Sequence, residues 1–532
     1  MNKQKILLLL IILIGIFLRF YRLGDVPSSL NWDEVSWGYN AYSITQTGKD
    51  EHGASFPLSF QAFGDYKQPV YVYLAAVSVK LFDLNPFSVR LPSAVLGSAT
   101  ILFVYLLVAE LFGKHPFSKN LALLSAFFFA ISPWSIQFSR VAFEANVGLF
   151  FTIFGTWLIL YGVRKPHTIV SVLGIVVLSI SCYTYHSQKI FTPLLFLGIL
   201  FYAYLTHNVK KTLIFTFLVI FLISNIFWLI DPNTTKRGRS VTFFSNPTQL
   251  ITKPTEKIIY DAQHNDRFGM LLHNRRFVYA KKYLENYSLH FDLNFLFLTG
   301  DNPRHHPPKM GILYLSLLPA IIFGMYYFLS RKIYAGLLIG FWFLIAPISS
   351  ALAVNAPNAS RSLVFLPTYE IFAAAGIVFL FTFLKKLRIE RVIKIVLFTV
   401  FAANVLYYVH MYLWHTDTDF GQYWQDGYRQ AVLYVEQNRK VNTNVLFAKD
   451  MEQPYIFYLF YTKFDPQRYQ SVPDKNKPCQ RIDNTYFGSC EVTLQKNDML
   501  VTYKKNPPAD FVQKTTISYK NGTPALYIFE KL

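Results

Sequence analysis

Two adjacent carboxylates, Asp33 and Glu34, stand among aromatic residues in Leu30-Asn31-Trp32-Asp33-Glu34-Val35-Ser36-Trp37, shortly after the first long apolar run of the chain. A carboxylate close to lipid is costly to desolvate, so it rises in pKa or takes a cationic partner. The same acids could instead cap the amphipathic helix expected to run on through Ser43. Lys67, in Gly64-Asp65-Tyr66-Lys67-Gln68-Pro69, opens a short apolar stretch, where a lysine can meet a phosphate or snorkel toward anionic lipid. Arg90, in Val89-Arg90-Leu91-Pro92-Ser93-Ala94, poses the same choice. Arg140 and Glu144 are four residues apart, so one helical turn would set them on one face as an ion pair. Gly300 to Lys309 holds Asp301, Arg304, His305 and His306 without any zinc spacing. Arg304 and His305 read there as phosphate or substrate contacts, with a divalent metal as the lesser alternative. Arg361 is a further cation just before an apolar run.

The elements that must position these residues are mostly membrane helices. The 532 residues are 53% hydrophobic, 18% aromatic and only 15% charged, where soluble domains carry about 25% charge. That composition excludes an ordinary soluble enzyme and a disordered chain. Eleven apolar runs approach the roughly 20 residues that cross a bilayer, at 6–21, 92–112, 121–134, 147–163, 169–185, 190–205, 213–230, 310–329, 333–354, 362–384 and 393–414. Lys3 and Lys5, Lys114 and Lys119, Arg164 and Lys165, Lys210 and Lys211, Arg331 and Lys332, and the cluster from Lys385 to Lys394 fall in alternate loops. Short basic loops stay in the cytoplasm, so the N-terminus is expected there, and residues 23–90, 231–309 and 415–532 outside. Val70 to Leu84 is too short to span and reads as a surface or partly embedded helix. The first run ends in Arg19-Phe20-Tyr21-Arg22 without a small-residue cleavage site, which predicts a retained span. The net charge of +20 is partly this topology signal and partly an outer region, 231–309, with 12 Lys and Arg against 7 acids. Nothing in it reads as a nucleic-acid module.

The tail is expected to be a small α/β domain, with helices at 426–438 and 455–461, strands at 445–448, 498–503, 515–519 and 525–530, and a hairpin turn at Asn521-Gly522. Cys479 and Cys490 could pair outside the cell or stay free, and Cys182 reads as inert packing in a span.

The ordered set Asp33-Glu34, Lys67-x-Pro69, Arg90-Leu-Pro-Ser-Ala94 and Arg140-x-x-x-Glu144, on the outer side of eleven spans, resembles the GT-C superfamily of polytopic glycosyltransferases. The resemblance lies in the branch of protein O-mannosyltransferases and the lipid A aminoarabinose transferase, glycosyltransferase families 39 and 83. It covers residues 1 to about 165, and the loops at Arg304 to Pro308 and Asn355 to Arg361 look similar too. It implies a polytopic α-helical GT-C catalytic domain over 1–414 and an extracytoplasmic α/β domain over 415–532. It further implies inverting transfer of a monosaccharide from a polyprenyl-phosphate donor to a hydroxyl of a glycan, lipid or protein acceptor at the outer face of the plasma membrane. Asp33 would be the general base, and Glu34 and Glu144 further acids of the site. Lys67 and Arg361, with Arg304 and His305, would contact the donor phosphate, and Arg90 and Arg140 would support them.

No cofactor is required by that chemistry, in keeping with the lack of a Gly-rich phosphate loop. Tyr66 stands where the aminoarabinose transferases carry an acid that helps hold a metal, so metal dependence is not carried over. Glu144 replaces a more usual aspartate, and the tail is unlike the sugar-binding trefoil of eukaryotic O-mannosyltransferases. Two rival readings are a transporter or flippase of lipid-linked sugars and a non-catalytic scaffold presenting the tail. Transporters place ionisable groups and broken helices near the midplane, whereas these runs are nearly free of acids and bases.

Overall fold

Each of the eleven apolar runs centres on a helix. The computed structural model describes residues 3–113, 115–233, 242–245, 247–331, 333–385, 388–473, 475 and 478–532. Lys114, Lys332 and Lys386 of the expected cytoplasmic loops, and Lys236, Arg237 and Arg239 of the basic region expected outside, lie outside the described residues. The first seven helices are α1 (Lys3–Phe20), α2 (Trp32–Thr47), α3 (Pro69–Phe82), α4 (Pro86–Phe112), α5 (Ser118–Ile131), α6 (Pro133–Arg140) and α7 (Glu144–Arg164).

Among the described residues, six helices are long and apolar enough to cross a membrane, and seven if the bent pair α5–α6 is one span. The 53° bend at Ser132 has a local cause. Pro133 disfavours a helical conformation at the residue before it, and Ser132 is extended at ψ 131°. Thr168–Tyr183, Lys211–Ser224 and Leu315–Arg331 are apolar but shorter. A 14-residue helix such as Lys211–Ser224 rises only about 21 Å against a hydrocarbon core of about 30 Å. Among the described residues, the eleven runs expected to span are therefore apolar helices of which at most seven are long and apolar enough to cross a membrane. The short helix expected at 70–84 is α3, with 14 residues.

The contacts divide the chain into two compact units: Met1–Gly15, Ser98–Ile136 and Gly148–Val405 form one, and Ile16–Gly97, Gln137–Val147 and Leu406–Leu532 the other. This differs from a division at residue 414. The physical reason is that the tail packs on the loop that follows the first helix. Tyr39 Oη donates to Phe464 O (3.1 Å), Gln470 Nε2 donates to Ser43, Thr47 and the carbonyl of Asp50, and a Cβ on Gly38 would run into the Phe460 ring.

In the first unit, the helices Leu318–Arg331 and Leu366–Leu384 cross closely enough that a Cβ on Gly324 would overlap Phe372 O and one on Gly376 would overlap Ala320 O. The second of these helices also buries Glu370, so that run is not free of acids.

In the second unit, residues 445–531 form a six-stranded mixed sheet: β3 (Val445–Ala448), β4 (Cys479–Ile482), β5 (Thr485–Gly488), β6 (Met499–Thr502), β7 (Phe511–Ser518) and β8 (Pro524–Lys531), in the order β4-β5-β3-β6-β8-β7. β3 is parallel to both neighbours, and the remaining pairs are antiparallel. Strand alternation sends Leu446 and Ala448 to one face, against Leu500 and Phe529, while Phe447 stacks on Phe487 at 5.3 Å and meets Tyr458 of the helix Pro454–Tyr461. The Asn521-Gly522 turn forms, closed by Tyr519 N–H to Thr523 O, with Gly522 at φ +83°. Cys479 and Cys490 are disulfide-bonded, and Cys182 is free and buried.

The glycine crossing gives a direct expectation. Gly376→Val should destabilise the protein by about 1–3 kcal/mol through overpacking, read as a lowered unfolding midpoint in detergent. Gly340→Val, where a Cβ meets nothing within 4 Å, should leave the midpoint in place.

Candidate active site on the loop after the first helix

The adjacent acids divide their tasks at the start of α2. Asn31 is the N-cap, its side chain accepting the N–H groups of Asp33 and Glu34, and Glu34 returns to the Asn31 N–H in a capping box. Glu34 is fully buried and paired with Arg90, with Nε to Oε1 at 2.9 Å and Nη2 to Oε2 at 3.3 Å. It also accepts the Ala142 N–H at 3.1 Å. Arg90 spends its other donors on the carbonyls of Leu23, Pro27 and Ser29. All five N–H groups of a buried guanidinium are thereby satisfied. Glu34 and Arg90 thus sit inside a folding anchor, with Glu34 already accepting from every side.

Asp33 faces elsewhere. Its carboxylate is 40% exposed and lies 2.7 Å from Nζ of Lys67, which is only 9% exposed. A two-stranded hairpin delivers the lysine. β1 (Phe60–Ala62) pairs with β2 (Asp65–Lys67), setting Phe60 opposite Lys67, across a two-residue Phe63-Gly64 turn with φ of +56° and +75°. Left-handed conformation at both turn residues matches the twist of the strands. Lys67 Nζ stands 4.4 Å from the Trp37 ring centroid and 4.9 Å from that of Phe63. Trp37 is one helical turn beyond Asp33, so one face of α2 offers the ammonium both a carboxylate and an indole. Glu144 opens α7, and its carboxylate interacts electrostatically with both Asp33 and Lys67.

The expected Arg140–Glu144 ion pair gives way to a different arrangement. α6 ends at Arg140 and α7 begins at Glu144, so the two do not share a helical turn. Arg140 instead donates to Tyr412 Oη and to the carbonyls of Leu18, Arg19, Arg22 and Val26. Sequence reading also passed over Glu51, a fully buried acid whose Oε1 accepts from Asn40 Nδ2 at 2.9 Å. Burial pushes its carboxyl above the usual range, while His52, Asn40 and Lys67 act in the opposite direction. A Glu-His pair beside a glycine was the only signal for it.

The remaining expected residues lie in the first unit. Asp301 Oδ2 accepts from His305 Nδ1 (2.7 Å) and from the Ala359 N–H (2.9 Å). Burial alone would push the Asp301 carboxyl up, but these donors leave it below the usual aspartate range. Trp134 Nε1 donates to Ala359 O, so the loop before Arg361 is held from two sides. Arg361 Nη1 is buried without a hydrogen-bond partner among the described residues. The Arg304 N–H donates to Asn302 Oδ1. Among the described residues no three His, Cys, Asp or Glu side chains group as a metal site.

Residues 66–230 match the family described as dolichyl-phosphate-mannose-protein mannosyltransferase. A Bacillus subtilis strain 168 protein described as "Putative mannosyltransferase YkcB" is 30% identical over 172 residues, which take in 31% of this chain and 22% of that protein. The chain therefore matches only about a fifth of that relative's length. ArnT from Cupriavidus metallidurans, in a structure with undecaprenyl phosphate bound, aligns over 93% of this chain and 92% of its own, with a TM-score of 0.51 and 11% identity. The Archaeoglobus fulgidus oligosaccharyltransferase tethered to an acceptor peptide aligns over 86% of this chain and 63% of its own (TM-score 0.50, 14% identity). The fold is that of the GT-C membrane glycosyltransferases, and the chain is an integral membrane protein.

Glu34→Gln should cost about 3–5 kcal/mol, because it leaves Arg90 as an uncompensated buried cation. Asp33→Asn, half-exposed, should unfold near the wild-type midpoint in detergent, and equal losses for both would contradict the division of tasks. Because Glu51 has a raised native pKa, acidification through that pKa toward the unfolded value of about 4.3 should stabilise the protein. Glu51→Gln should abolish that gain, measured as unfolding midpoint against pH.

Proposed function

We propose that this chain is an inverting glycosyltransferase that moves a monosaccharide from a polyprenyl-phosphate donor to an acceptor hydroxyl at the outer face of the plasma membrane, with its N-terminus in the cytoplasm. The observation that supports this most is the half-exposed Asp33 carboxylate held at 2.7 Å by a buried Lys67 within a GT-C fold. The acceptor oxygen attacks the anomeric carbon on the face opposite the phosphate. Asp33 takes the hydroxyl proton, the bond from carbon to phosphate oxygen breaks, and polyprenyl phosphate leaves with the electron pair.

Lys67 serves twice. Before the donor arrives its ammonium holds the Asp33 carboxylate in place at 2.7 Å, and when the donor binds it turns to the phosphate, leaving the carboxylate to meet the acceptor hydroxyl. Glu144 is assigned to a substrate hydroxyl. Arg361, with its buried Nη1 unpartnered among the described residues, Arg304, and His305, which is committed to Asp301, belong to the first unit and are given no step. Glu34, Arg90 and Arg140 are positioning residues. No metal is given a step.

Asp33→Asn should lower kcat by about 10²–10⁴-fold while the protein remains folded. Lys67→Ala should lower donor kcat/KM, since it removes charge stabilisation from the leaving phosphate. Mass spectrometry of released polyprenyl phosphate reads both, and full activity in Asp33→Asn would remove the base assignment.

A further inference from the structure

A cavity of about 470 Å³ in the second unit takes no part in the steps above. Its size falls within the roughly 300–1,000 Å³ of small-ligand sites. It lies at the carboxyl ends of the parallel strands β3 and β5, with Lys449 following one and Gly488 ending the other. Open α/β sheets bind ligands in that position because the loops leaving the strands converge there.

The lining has a defined chemistry. Its described residues include two cations, Lys449 and Lys475, and no carboxylate. Lys475 gives one N–H to Gln470 O at 2.9 Å, which leaves two, and Asp50 and Glu51 partly balance it electrostatically. Gln480 Oε1 is buried without a hydrogen-bond partner among the described residues, an arrangement that is costly unless a donor such as a hydroxyl arrives. Phe63 and Tyr455, edge to face at 6.3 Å, form an aromatic wall. The Phe63 ring is also the one 4.9 Å from Lys67 Nζ, so the cavity and the proposed reaction centre share a side chain.

We propose that this cavity holds the acceptor, and that the acceptor is an anionic polyhydroxylated chain, a glycan or polyol bearing carboxylate or phosphate groups. Calling the occupant the acceptor rests on the glycosyltransferase reading, whereas the binding chemistry does not.

The test is direct binding to the full chain in lipid nanodiscs, without donor, of three probes of equal length: a hexuronate oligosaccharide, a glycerol-phosphate oligomer and a neutral glucose oligosaccharide. At least one anionic probe should bind about tenfold or more tightly than the neutral one, and Lys449→Ala with Lys475→Ala should remove about that factor. Whichever anionic probe prevails tells carboxylate from phosphate. Gln480→Leu should weaken all three, with an unchanged unfolding midpoint showing that each variant is folded. Equal affinity for the neutral probe, or unchanged binding in the lysine variant, would overturn the proposal. Asp33→Asn must bind the probes as wild type does. Full transfer by that variant would remove the catalytic reading and leave the pocket, whereas absent probe binding would remove the pocket and leave the catalytic reading.

Discussion

The loop that follows the first helix depends on one buried ion pair. Arg90 is fully enclosed, and a guanidinium in such a place is tolerated only if its charge and all its N–H groups are met. Glu34 supplies the charge, and the carbonyls of Leu23, Pro27 and Ser29 supply the remaining acceptors. The same carboxylate closes the capping box of α2 and holds the Ala142 N–H just before Glu144. One pair thus ties the loop, the start of α2 and the approach to α7 together. Neighbouring residues on a helix point about 100° apart, so anchoring Glu34 inward turns Asp33 toward Lys67.

That constraint explains why the site reads as a half-exposed acid on a rigid support. The hairpin delivers Lys67 by strand register, and Trp37 and Phe63 shield its ammonium without neutralising it. A cation so placed is free to exchange a carboxylate partner for a phosphate. Phe63 joins this centre to the cavity at the ends of β3 and β5. The packing of the tail on the loop after the first helix, through Tyr39 and Gln470, gives the tail a reason to be present.

Much of this was legible in the residues. Apolar runs placed the membrane helices, alternation placed β3, β6 and β8, and the acids among aromatics after the first apolar run marked the candidate site. Other features were hidden for physical reasons. β4 and β5 are four-residue strands joined at Asp483-Asn484, too short for alternation to show. Arg140 and Glu144 have the spacing of a helical pair, but the backbone breaks between them, and five acceptors outside that spacing claim the guanidinium. Glu34 and Asp33 are chemically alike in sequence, and only the long-range partner Arg90 tells them apart.

The most direct measurement uses the purified full chain in lipid with a panel of polyprenyl-phosphate monosaccharides and an acceptor mixture, followed by mass spectrometry and determination of the product's anomeric configuration. Release of polyprenyl phosphate with a product of inverted configuration, lost in Asp33→Asn, is the result predicted. Retention of configuration, or release that is unchanged without the Asp33 carboxylate, would contradict a single displacement in which that residue is the base.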